Sequence, residues 1–210
     1  MGSKHLQNYP NIAVMPEELN GMIDFSVFFG HTGPVELEIG SGRGTFLVSQ
    51  AAAFAETHFL GIEWAAKFWR YAVDRIGRRG LDNVRLIRTD AAAFIRQHIP
   101  DASIRMVHLY FPDPWPKKRH HKRRFFCDEN LCQLYRILEP DGIINTATDH
   151  ADYFEQMTIV AERAVAQGLF EQIPFIRPAG AQDGETVGTN YERKYRKEGR
   201  RTYTLALRKR

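Results

Sequence analysis

Asp113 stands between two prolines in Phe111-Pro112-Asp113-Pro114-Trp115-Pro116, and eight consecutive basic or imidazole residues follow, Lys117 to Arg124. Proline rings restrict φ, so this acid is held in place at the edge of a positive field. A fixed carboxylate can accept hydrogen bonds from the ring N–H or amino group of a base. Lysine and arginine bind phosphates with little sequence information. His120 and His121 lie among cations that oppose a metal ion, so no metal is expected.

A second constellation begins at Val35-Glu36-Leu37-Glu38-Ile39, a strand pattern that runs into Gly40-Ser41-Gly42-Arg43-Gly44 and then a helix. Glycines there let backbone approach a ligand, and the helix N-terminus favours an anionic group. The third glycine of a dinucleotide fingerprint would fall on Thr45, which counts against a nicotinamide dehydrogenase, and no P-loop pattern is present.

Acids close five successive strand patterns: Glu38, Glu63, Asp90, Asp113 and Asp149. In an open parallel sheet these ends face one crevice. Glu63 lies 19 residues after Gly44, near the spacing at which an acid takes ribose hydroxyls. Any one of them also reads as a turn former or helix cap. Together they would repel a pyrophosphate but suit a cofactor with positive charge and one ribose. S-adenosylmethionine, with its sulfonium and ammonium groups and a single carboxylate for the helix N-terminus, meets that description.

The elements that must position these residues alternate as βαβ units do. Strands are expected near 34–39, 58–63, 83–88, 104–111, 142–148, 170–175 and 202–208, and helices at 45–56, 64–79, 128–138 and 150–167, with others in the remaining gaps. Glu139-Pro140-Asp141-Gly142 reads as a turn. Residues 176–188, polar and glycine-rich, read as a mobile loop joining the last two strands. The result is a doubly wound α/β sheet whose final strand is antiparallel.

Length favours one domain: 210 residues make a well-buried α/β core but are short for two. No apolar run approaches the roughly 20 residues of a membrane helix, and the opening residues lack a secretory core, so a cytoplasmic protein without a membrane partner is expected. Cys127 and Cys132 are too few for a disulfide framework and read as packing residues. The net charge of +4 is strongly segregated: residues 117–124 carry +6 and residues 193–210 carry +8, leaving −10 on the remainder. Such segregation fits a phosphate-binding surface on an otherwise acidic body, and also a merely solvated charge run.

Five blocks together resemble the bacterial tRNA (guanine-N(7)-)-methyltransferase family: Leu37 to Gly44, Gly61-Ile62-Glu63, Phe111 to His120, Thr148-Asp149, and Thr189-Asn190-Tyr191-Glu192. The resemblance spans about residues 34–208 and leaves residues 1–33 as an N-terminal extension before a single domain at 34–210. It implies a Rossmann-like class I methyltransferase fold, a seven-stranded mostly parallel sheet with the last strand antiparallel. The activity it implies is methyl transfer from S-adenosylmethionine to N-7 of a tRNA guanosine, one expected in the variable loop.

By the same resemblance Glu38, Gly40, Gly42, Gly44, Glu63, Asp90 and Asp113 bind the cofactor, and Asp113 is also the catalytic residue. Lys117, Asp149, Thr189, Tyr191 and Glu192 are implied at the substrate, and Arg119, Lys122, Arg123 and Arg124 at tRNA. Thr189 and Glu192, three apart, also read as a helix capping box. Trp115 could stack on an extruded base or pack its own loop. A methyltransferase of another RNA or of protein, and an RNA-binding module with a vestigial cofactor fold, remain as alternatives. No obligatory protein partner is implied, and a monomer or a homodimer is compatible.

Overall fold

The computed structural model describes residues 6–210. Its elements are β1 (Ala13–Val14), α1 (Phe25–Phe29), β2 (Val35–Ile39), α2 (Thr45–Ala53), β3 (His58–Ile62), α3 (Ala66–Gly77), β4 (Val84–Ile87), α4 (Ala91–His98) and β5 (Ile104–Tyr110). After β5 come α5 (Asp128–Ile137), β6 (Leu138–Thr148), α6 (Ala151–Ala166), β7 (Phe170–Ile173), α7 (Asn190–Lys197) and β8 (Tyr203–Lys209). The strands lie in the order β1-β4-β3-β2-β5-β6-β8-β7, all parallel except β8, which pairs antiparallel with β6 and β7.

Alternation along the strands divides the core in two. Leu37, Ile39, Leu60, Ile62, Val107 and Leu109 pack against α4, α5 and α6 through Phe94, Leu134 and Met157. On the other face Phe59, Leu86 and Tyr110 meet Phe46, Leu47, Val73 and Ile76 of α2 and α3. The period of two along β2 therefore sends its apolar residues to one face and Glu36 and Glu38 to the other. In register, Glu38 lies beside His108 and His108 beside Asn145, a polar row across three central strands.

Winding reverses between β2 and β5, so the carboxyl ends of these neighbours open a crevice there. The ends are level: Ile39 pairs with Ile62, Ile62 with Ile87, and Ile39 with Leu109. The loops after these four strands carry the glycines, Glu63, Asp90 and Asp113.

The sheet has eight strands where seven were expected. The eighth is the two-residue β1, whose Ala13 and Val14 pair with Leu86 and Ile87 of β4. It is too short to show a periodic pattern, yet Ile12, Ile23 and Phe29 around it are buried. β7 stops at Ile173 because Pro174 has no N–H to continue the ladder. The turn expected at Glu139–Gly142 sits inside β6 as a bulge: pairing steps from Ile104–Leu138 to Met106–Ile143, and Asp141 takes a φ of 61°. Cys132 is exposed and not a packing residue. The 176–188 loop is braced, since Arg177 bonds the carbonyls of Ala181, Gln182 and Glu185. Among the described residues no helix is long and apolar enough to cross a membrane.

Candidate active site

Gly40, Gly42 and Gly44 turn the chain from β2 into α2 with φ of 80°, 53° and 66°, a left-handed region that side chains other than glycine rarely occupy. The loop is fixed from the next strand: Glu63 accepts the Gly42 amide at 2.7 Å through one oxygen and the Ala65 amide at 2.7 Å through the other. It borders a cavity of about 270 Å³ lined by Glu38, Gly40, Ser41, Arg43, Thr45, Phe46, Phe68, Tyr110, Thr189, Asn190, Tyr191 and Lys194. Asn190 ties the start of α7 to the start of α2 by a 2.8 Å bond to the Thr45 hydroxyl.

Glu38 is 4% exposed, and its Oε2 has no hydrogen-bond partner among the described residues. Burial, reinforced by the charge of Glu63, pushes its carboxyl well above the ordinary value. Tyr110 beside it is pushed well up by burial too, so the phenol stays neutral.

The cavity shares Gly40, Phe68, Tyr110 and Tyr191 with a larger groove of about 740 Å³, which Glu63, Asp90, Asp113 and Asp149 also line. Asp90 caps α4 by accepting the Ala93 amide at 2.8 Å. Asp149 bonds Arg200 at 2.8 Å. Asp113 is exposed and accepts no hydrogen bond among the described residues. Phe111 and Trp115 on either side of it have φ of 51° and 45°, unusual for bulky residues, so both ends of the Pro-Asp-Pro turn are conformationally constrained. Burial, then the charges of Glu63 and Asp113, raises the pKa of Tyr191. This phenol lies within the electrostatic reach of both acids.

The chain matches a family model described as "Putative methyltransferase" over residues 32–205. It is 39% identical to the tRNA (guanine-N(7)-)-methyltransferase of Alkalilimnicola ehrlichii, over 90% of this chain and 78% of that one. The enzyme of the same name from Halorhodospira halophila is 37% identical over 95% and 85%. The chain belongs to the tRNA (guanine-N(7)-)-methyltransferase family. A solved SAM-dependent methyltransferase from Aquifex aeolicus superposes with a TM-score of 0.57 at 13% identity, over 87% of this chain and 86% of that one, a likeness of fold.

Membership in this methyltransferase family makes S-adenosylmethionine the cofactor, and the cavity can be tested against it. An unpartnered, buried Glu38 oxygen offers an acceptor, and the acids of the crevice suit a cationic ligand. Gly42 presents bare backbone to the adjoining groove, where an added Cβ would reach contact distance, 3.4 Å, of the Tyr191 ring. The residues fit the group.

Two expected site residues lie elsewhere, and a third, Arg124, borders the groove but is already engaged. Gly44 lines neither space; its missing side chain admits Ala72 of α3, whose Cβ would be 3.0 Å from an added one. Glu192 is buried and turned away from the groove, accepting the amides of Thr186, Val187 and Gly188. Half of the expected capping box forms: Thr189 Oγ1 accepts the Glu192 amide at 3.1 Å while Thr189 still lines the cavity, but the Glu192 carboxylate takes the three preceding amides and not that of Thr189. Arg124 is 2% exposed and is engaged by Asp152, Gln156 and the Pro114 carbonyl, so it cannot reach a phosphate.

Lys122 and Arg123 line the groove, whereas Lys117 and Arg119 lie exposed beyond it. Sequence reading missed Tyr110, Lys194 and Tyr195 as lining residues. Tyr110 adjoins a recognisable block; Lys194 and Tyr195 are signalled only by helical spacing from Tyr191.

Proposed function

We propose that this chain transfers the methyl group of S-adenosylmethionine to N-7 of a guanosine in the variable loop of tRNA, acting in the cytoplasm as a monomer or homodimer without an obligatory protein partner, with residues 34–210 as its catalytic domain. When bound, the cofactor supplies an electrophilic methyl group on a sulfonium centre.

The observation that carries the reading is an unpaired, proline-flanked Asp113 in one groove with Glu63, Tyr191 and the cations Lys122 and Arg123. N-7 of guanine already carries a lone pair, so no residue must remove a proton before transfer. What the chain must do is hold the base in line and favour the positive charge that develops on its ring. Asp113 does this by accepting hydrogen bonds from the ring N–H or amino group, in a geometry its prolines prearrange. Glu38, Glu63 and Asp90 hold the cofactor from the ends of β2, β3 and β4. Asp149, Thr189 and Tyr191 flank the base, and Lys117, Arg119, Lys122 and Arg123 engage phosphates.

Methylating unmodified tRNA transcripts and then cleaving the RNA chemically at 7-methylguanosine tests this reading. One cleavage in the variable loop is expected. Methyl incorporation without any cleavage would overturn the N-7 assignment.

A further inference from the structure

The C-terminal charge block is less uniform than its sequence. Nine cations lie between Arg193 and Arg210, and ion pairing divides them. Arg193 binds Glu185, Arg200 binds Asp149 and Glu198, and Arg208 and Arg210 bind Glu171. Lys209 donates to the Leu138 carbonyl and sits over the Tyr135 ring. Lys194 lies 3.9 Å from Glu198 and lines the cofactor cavity.

Three remain without an ion pair among the described residues: Arg196, Lys197 and Arg201, all exposed. Arg196 feels Glu185 only at longer range, and Arg201 rests over the Tyr203 ring. They are carried by α7 and the turn after it.

That helix is also a wall of the site. Tyr191 and Tyr195, one turn apart on α7, both line the groove, and Tyr195 packs against Phe111 at 5.9 Å between centroids. Among the described residues, Lys117, Lys118, Arg119, Lys122 and Arg123 on the loop after β5 also lack ion pairs, as does Arg43 at the cavity. The groove therefore has cations free of carboxylate partners on two elements that border it, while the arginines that stitch the fold are already neutralised.

We propose that Arg196, Lys197 and Arg201 form a second RNA-backbone contact, separate in the chain from the 117–123 run, so that a bound RNA is gripped on both elements with its target guanosine over the groove. This rests on the proposed tRNA substrate and adds where the RNA is held. Ammonium and guanidinium groups unpaired in the free protein can neutralise phosphates without first breaking an internal pair, and each contact contributes to the salt dependence of binding.

The test is a tRNA affinity measured from 50 to 300 mM salt for the whole chain and for a triple variant, Arg196→Gln, Lys197→Gln, Arg201→Gln. Calorimetric affinity for S-adenosylmethionine serves as the control for intact folding. The variant is expected to bind tRNA about tenfold more weakly at physiological salt, with its log–log salt slope reduced by roughly 2 to 3. An unchanged slope and affinity in the triple variant, with Lys122→Gln, Arg123→Gln weakened, would overturn the second contact while leaving the substrate reading in place. Failure of the unaltered chain to bind any tRNA would overturn both.

Discussion

The carboxylate of Glu63 accepts the amide of Gly42 at 2.7 Å, so the acid at the end of β3 shapes the glycine loop that leaves β2. The acid expected at the ribose and the glycine loop are thus one unit. Glu63→Gln would turn one of its two acceptors, for Gly42 or Ala65, into a donor facing a donor. Affinity for S-adenosylmethionine should fall about tenfold or more, from about 1–3 kcal/mol of lost pairing. Calorimetry showing unaltered affinity would contradict this coupling.

Glu38 should take part in cofactor binding as a proton-releasing group. Its folded pKa is raised by burial and by Glu63. Below the unfolded value both states are protonated, and as pH rises towards the folded pKa the free protein loses stability on its account. A bound cation favours the carboxylate, so binding should release a proton and strengthen as pH rises. Calorimetry in buffers of different ionisation enthalpy should show this release in the wild-type chain and its loss in Glu38→Gln. Equal heats in all buffers would count against it.

A buried chain of hydrogen bonds runs beneath the same cavity. Glu36 meets His108 Nε2 at 2.8 Å, His108 Nδ1 meets the Tyr110 hydroxyl at 2.9 Å, and Asn145 donates to that hydroxyl at 2.9 Å. His108 thus bridges Glu36 and Tyr110 through its two ring nitrogens. Burial opposes the charge on Glu36, but the His108 and Arg105 contacts outweigh it and leave its pKa lowered. A depressed carboxyl contributes stability above its unfolded value, near 4.5, and loses it as pH falls through the folded pKa. His108→Leu should therefore destabilise by about 3 kcal/mol at neutral pH, with the deficit shrinking in acid. A deficit equal at pH 6 and pH 3.5 would contradict the coupling.

Arg124 should behave as a structural residue. Arg124→Met leaves Gln156 and the Pro114 carbonyl without their partner, while Asp152 is half exposed and can rehydrate. A loss of about 1–3 kcal/mol in urea unfolding is expected, with the salt slope of tRNA binding unchanged. Unaltered stability with a shallower slope would return Arg124 to the RNA surface.

Asp113→Asn should slow methyl transfer far more than it weakens tRNA binding, because its neutral amide keeps the turn but loses the charge that favours a developing cation. A hundredfold or larger drop in turnover, about 2.7 kcal/mol or more, is expected, with tRNA affinity within a fewfold. Equal losses in both would make Asp113 an anchor for the ligand.

The strand-end acids were legible because a parallel sheet sends every carboxyl end to one side, and periodicity locates the ends of β2 to β6. Arg124 was misplaced because a run of like residues does not reveal which one turns inward; only the position of Asp152 on α6 decides that. Glu192 was ambiguous for a similar reason, since its spacing from Thr189 serves a cap and a binding site equally well. β1 escaped because two residues have no period, and the Glu36–His108–Tyr110 chain escaped because it joins strands far apart in sequence.

The most direct test incubates the protein with methyl-labelled S-adenosylmethionine and unmodified tRNA transcripts, then digests and chromatographs the nucleosides. Label in 7-methylguanosine is the predicted result. Label confined to any other nucleoside, or none with cofactor and tRNA both bound, would contradict the account.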